Sequence, residues 1–76
     1  MNLYQLSRRK IDVVGYDEYA GHIVRAKTPH EARHLCPHAD EGDIWKDAGQ
    51  TLLKRIGHTH SKGAAPRVLL SDFRAG

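Results

Sequence analysis

"TPHEARHLCPH", residues 28–38, decides how this chain folds. Thr28 is a good N-cap, Pro29 falls at the first helical position where a missing N–H is harmless, and Glu31 stands three residues after the cap. Thr-x-x-Glu is the capping-box pattern, so a helix is expected from 28 or 29 to 36. Pro37 ends it, because the residue before a proline is pushed out of the helical region. A helix this short does not hold alone in water and must dock on something.

The same stretch gathers three histidines and the only cysteine, four zinc-type ligands on a naive reading. Helical geometry separates them. At about 100° per residue, Ala32, Leu35 and Cys36 share the one apolar face, His30 and His34 fall on the opposite side, and Arg33 lies between. Cys36 is then expected in the core as a small buried hydrophobe. The i, i+4 pair His30 and His34 is expected to face solvent. Further ligands could come from His38, or from His58 and His60. No CxxC pair or HExxH motif accompanies them, and neither a metal nor another cofactor is expected.

Working outward, residues 2–6, "NLYQL", read as a strand, as do 22–27, "HIVRAK", 51–56, "TLLKRI", and 67–73, "RVLLSDF". "SRRKIDVVGYDEYAG", 7–21, reads as a long connection with a possible strand extension at 11–14. Residues 38–49 read as an acidic loop containing Ile44 and Trp45, and Gly57, Gly63 and Pro66 mark a turn or loose hairpin loop. The expected fold is a single α+β domain over 1–76, a two-layer β-β-α-β-β arrangement with one short helix on a mostly antiparallel sheet.

The helix is too short to cover four strands. In the last strand, alternation puts Val68 and Leu70 on one face and Leu69 and Phe73 on the other, and Leu52 and Leu53 take opposite faces of the third. Both sheet faces therefore carry apolar side chains. Either the long loops fold over the second face, with Trp45 and Tyr16 or Tyr19 as lids, or that face meets another chain, a second copy included.

Composition narrows the function. A chain of 76 residues with net charge +3 is one small, mildly basic domain. It has no apolar run of membrane-spanning length, and no signal peptide is expected at its start. One cysteine makes no internal disulfide, which fits a reducing cytosol. There is no glycine-rich phosphate loop and no nucleophile elbow, and no base is recognisable beside Ser7, Ser61 or Ser71, so no enzyme activity is expected. "DEGD", 40–43, does not follow calcium-loop spacing and reads as a negative loop. Arg8, Arg9 and Lys10 form a basic run. Arg25, Lys27, Lys54, Arg55, Arg67 and Arg74 add cations on or beside the strands. Sharing a face, such cations would contact phosphates while Tyr16, Tyr19 or Trp45 stacked on bases; otherwise they solvate strand exteriors and guard edges.

"LYQL", "GYDEYAGHIVRAK", "EARHLCP", Trp45, "LLKRIG" and "VLLSDFRAG" together resemble a family of small uncharacterised bacteriophage proteins. That family opens on leucine-tyrosine and continues through glycine-tyrosine-aspartate, a valine-rich strand and Glu-Ala-Arg on a helix ending at proline. A tryptophan and a closing valine-leucine strand follow. The resemblance covers most of the chain in order, leaving out 8–14 and 58–66. It implies a phage or prophage accessory protein acting in the host cytoplasm, and it brings no known activity and no site residues. The expected function is a non-enzymatic interaction module that binds a host protein, with Tyr16, Tyr19, Trp45, Arg8, Arg9, Lys10 and Arg25 as candidate contacts. A nucleic-acid-binding accessory protein is the alternative.

Overall fold

In the computed structural model, residues 1–10, 15, 17–60 and 64–74 are described. Four strands form one antiparallel sheet: β1 (Asn2–Arg8), β2 (Glu18–Ala26), β3 (Thr51–His58) and β4 (Arg67–Arg74), in the order β3-β1-β2-β4. Helix α1 (Pro29–Leu35) follows β2, and a 3₁₀ turn at Ile44–Lys46 precedes β3. The expected α+β architecture is the one observed. The tyrosine Tyr16 and the suggested strand extension at 11–14 lie outside the described residues.

The helix begins as its sequence dictates. Thr28 has extended backbone and its Oγ1 accepts from the Glu31 N–H at 3.1 Å, a cap worth roughly 1 kcal/mol. The reciprocal arm is displaced by one residue: Glu31 Oε1 accepts from the Lys27 N–H, at 2.8 Å, not from the cap itself. Cys36 turns extended ahead of Pro37. Ala32 and Cys36 are buried while His30 and His34 are exposed, as the helical rotation requires.

In the two central strands burial follows the two-residue period of a pleated strand. Tyr4 and Leu6 of β1 pack beside Ala20, His22, Val24 and Ala26 of β2. These residues face α1, and a helix of seven residues, about 10 Å long, leaves part of that face open. Trp45, only 1 % exposed, covers the remainder and joins Tyr4, Leu6, Val24, Ala26, Ala32 and Cys36 in one core.

Four expectations are corrected. Trp45 is indeed a lid, but it closes the helix-bearing face; its burial also removes it as a contact for a partner. Tyr19 belongs to β2, not to a connection, and packs on the same covered side against His22 and Phe73. The early start of β2 was hidden by Gly21, which reads as a breaker. A Cβ there would lie 2.8 Å from the Leu6 carbonyl oxygen, so close strand approach demands the glycine. Finally, Val68 and Leu70 do not share a face. Val68 pairs with Val24 and Leu70 with Ile23, because Leu69 is an extra residue between them, a β-bulge. A second extra residue, Ile56, interrupts β3 between Arg55 and Gly57. Each edge strand thus carries a bulge.

Candidate functional site

The helix-free face is read from the strand register, since directly opposed residues point to the same side. One row runs Leu52, Ser7, Gly21, Asp72; the next Lys54, Gln5, Ile23, Leu70; the third Gly57, Leu3, Arg25, Arg67. Nothing among the described residues covers it: Leu70 is 66 % exposed and Leu52 44 %. Where Gly21 lacks a side chain the face dips into a shallow hollow of about 300 Å³, bordered by Ser7, Ile23, Leu70 and Asp72. An apolar dish is therefore ringed by Lys54, Arg25 and Arg67. Arg25 and Arg67 stand directly opposite one another, an arrangement of like charges that destabilises a sheet unless an anion joins them. Arg25 Nε donates to the Ala65 carbonyl at 3.0 Å. Among the described residues none of these three cations is in an ion pair, and Asp72 is the face's one carboxylate.

The other candidate contacts are dispersed. Arg8 is held on the covered side of the sheet: its guanidinium meets Glu18 Oε1 at 3.2 Å and donates to the Tyr19 carbonyl. Arg9 is exposed but donates twice to the Ala48 carbonyl, at 3.1 and 2.9 Å. With exposed Lys10 these two arginines border a second hollow of about 310 Å³ shared with Ile44, Gly49 and Gln50. Among the described expected contacts, Arg25 is the one that the strand register places in the rows of the open face. Gly21, Ile23 and Leu70 were missed as site residues. The available signal was a glycine inside a strand pattern, which marks close backbone approach and leaves a gap where a side chain would stand.

On the covered side the polar groups are consumed by the fold. Glu41, expected to be part of a negative loop, is a latch. Its Oε2 accepts from the Tyr19 N–H at 2.9 Å and from Trp45 Nε1 at 3.2 Å, and its Oε1 from the Ala39 N–H at 2.7 Å. Burial alone would raise its pKa, but these donors, with its own backbone N–H, outweigh burial and hold it below the ordinary carboxylate value. Arg33 donates to Thr51 Oγ1 at 2.6 Å and to the Trp45 carbonyl at 3.1 Å, tying α1 to the start of β3. His22 is buried between the rings of Tyr19 and Trp45, with centroids at 4.8 and 4.6 Å. Its Nδ1 shares a 2.7 Å hydrogen bond with Ser71 Oγ, and its Nε2 is buried without a partner among the described residues. Burial lowers its pKa to about 4, against the opposing pull of Glu41 and the Pro37 carbonyl, so the ring is neutral at pH 7.

The histidine-cysteine cluster separates as its helical spacing implies. The His30 and His34 rings pack at 4.1 Å on the outside, while Cys36 Sγ donates to the Ala32 carbonyl inside. Burial raises the thiol pKa to about 12, despite nearby Arg33. Among the described residues no three potential metal ligands come together, and no helix is long and apolar enough to cross a membrane.

Compared with protein-family models, with curated proteins and with solved structures, the chain matches none.

Proposed function

We propose that this chain is a non-enzymatic interaction module that binds another protein through the helix-free face of its sheet. The observation that carries this reading is the contrast at Leu70: two-thirds exposed beside Ile23 at the β4 end of its row, on a domain that buries Trp45 almost completely. A domain this small leaves little apolar area to waste, and a contiguous apolar patch rimmed by polar residues is the usual mark of a protein contact. The His22 ring is enclosed by Tyr19 and Trp45 and its Nδ1 is engaged by Ser71, which favours a structural role for this pair. In this reading the resemblance to small phage proteins supplies the partner class, a protein of the bacterial host, and the host cytoplasm as the setting.

A nucleic-acid-binding role is the second reading, because Lys54, Arg25 and Arg67 share the open face. It is weaker because, among the described residues, the aromatic rings are not presented on that face: Trp45 is core, Tyr4 is buried, and Tyr19 packs on the covered side against Phe73. The test is affinity capture from host lysate with the wild-type chain and with Leu70→Asp. A defined protein retained by the first and lost by the second, at unchanged circular dichroism, supports the interaction reading. Retention of nucleic acid instead, falling steeply with salt, transfers the face to the second reading.

A further inference from the structure

We infer that the partner surface is acidic: an apolar side chain seats over Gly21, between Ile23 and Leu70, while carboxylates from the same partner segment engage Arg25, Arg67 and Lys54. This rests on the open face being a protein-binding surface. It commits that face to one occupant, and charge complementarity carries the choice. Three cations without an ion pair among the described residues surround the dish, against the single carboxylate Asp72. Arg25 and Arg67 oppose each other directly in the third row, two rows away from Asp72, so the face has a basic end. A carboxylate placed between two such guanidiniums relieves their repulsion and makes charge-assisted hydrogen bonds.

The competing occupants fit less well. A second copy brings the same excess of positive charge against this one. Nucleic acid would satisfy the cations, but no aromatic ring on this face, among the described residues, offers its bases a platform: Tyr4, Tyr19 and Trp45 face the other side and Phe73 packs edge-on against Tyr19. A strand added at a sheet edge would meet the bulges at Leu69 and Ile56, which interrupt the regular ladder that edge pairing requires. The face itself provides what an inserted side chain needs. Its hollow of about 300 Å³ is at the small end of ligand-pocket sizes, suited to one aromatic or large aliphatic group, and Gly21 cannot fill it because a Cβ has no room against the Leu6 carbonyl.

The probes are two short synthetic peptides, one placing glutamates around a central phenylalanine and leucine, the other identical with lysines for glutamates. Each is titrated into the ¹⁵N-labelled full chain. The acidic peptide should shift the amides of Ser7, Gly21, Ile23 and Leu70 in a saturable manner, and the lysine peptide should leave them in place. The double variant Lys54→Glu/Arg67→Glu, at two exposed positions, should weaken the acidic peptide by about tenfold or more, since opposed charges become like charges. Should that variant not fold, Lys54→Gln/Arg67→Gln should still weaken it, by less. Equal binding of both peptides, no saturable shift from the acidic one, or shifts confined to α1 and the 3₁₀ turn overturns the inference. So does single-stranded DNA moving the same amides more strongly than the acidic peptide, or a dimer in sedimentation that dissociates on Leu70→Asp. A partner lost on Leu70→Asp but retained by the charge-reversed variant leaves the interaction reading standing and removes only its acidic character.

Discussion

The two faces of this sheet are the two sides of the same four strands and end in opposite conditions. On the helix side Tyr4, Leu6, Val24 and Trp45 are all at most 3 % exposed, and even the polar groups His22, Glu41 and Arg33 are engaged or enclosed. On the other side Leu70 and Leu52 remain in contact with solvent beside three cations. The difference teaches that apolar content does not by itself make a core. A face becomes core when something of the right length returns over it. Here the short helix and the Trp45 turn both return to the same side.

The sharpest way to break this contrast is Trp45→Ala. Loss of a fully buried aromatic that bridges helix and sheet should cost about 3–5 kcal/mol, most of the stability of a domain this size. Urea unfolding measures it, and a variant as stable as wild type would show that the tryptophan does not close the core. Next in size is acid. The His22 pKa is lowered from 6.5 to about 4 in the folded chain. Between those values the unfolded chain takes up a proton that the folded one refuses. Stability is therefore full above 6.5 and falls as the pH drops toward 4, by at most about 3 kcal/mol. The groups around the ring are Tyr19, Ser71, Trp45, Glu41 and the Pro37 carbonyl. His22→Phe should flatten the slope in this window; an unchanged slope assigns it to other groups. Glu41, whose pKa is also lowered, adds its loss in a more acid range, below its ordinary 4.5.

Glu41→Ala follows. Removing a carboxylate that accepts from Tyr19, Trp45 and Ala39 should cost about 1.5–3 kcal/mol, the range for hydrogen bonds to a charged group. Its thermal melt should lie between those of wild type and Trp45→Ala. Leu70→Ala is the smallest effect and the counterweight to the rest. As an exposed position it should change stability by no more than about 0.5 kcal/mol, while reducing capture of a partner. A large loss of stability there would mean that the open face is closed within the chain, and the comparison would fall.

The local rules read well from sequence wherever the determining contacts lie within a few residues. The Thr28 cap, the stop at Pro37 and the inward turn of Cys36 depend on helical rotation and backbone sterics, which neighbouring residues specify. Residue type and patterning identified all four strands, but not where β2 begins, because Gly21 is a breaker in sequence terms and becomes a requirement only when the Leu6 carbonyl oxygen lies 2.8 Å from its would-be Cβ. The candidate site was less legible. Of the residues put forward from sequence, Arg25 reaches the open face, Arg8, Tyr19 and Trp45 serve the covered side, and Tyr16 lies outside the described residues. Charge and aromaticity are visible in a sequence; the side to which they are delivered is not.

By itself, then, the sequence determined the fold class, the order of elements, the helix and its caps, and the presence of more apolar strand surface than one short helix covers. Tertiary structure alone decided the strand order β3-β1-β2-β4, the bulges at Ile56 and Leu69, and the choice of face for Trp45. The physical reason is separation along the chain. A cap or a turn is settled by interactions across three or four residues. Glu41 reaches Tyr19 across 22 positions and His22 reaches Ser71 across 49. Each such contact forms only once the sheet has brought its partners together. A single bulge residue is enough to send Leu70 to the open face while Val68 stays with the core.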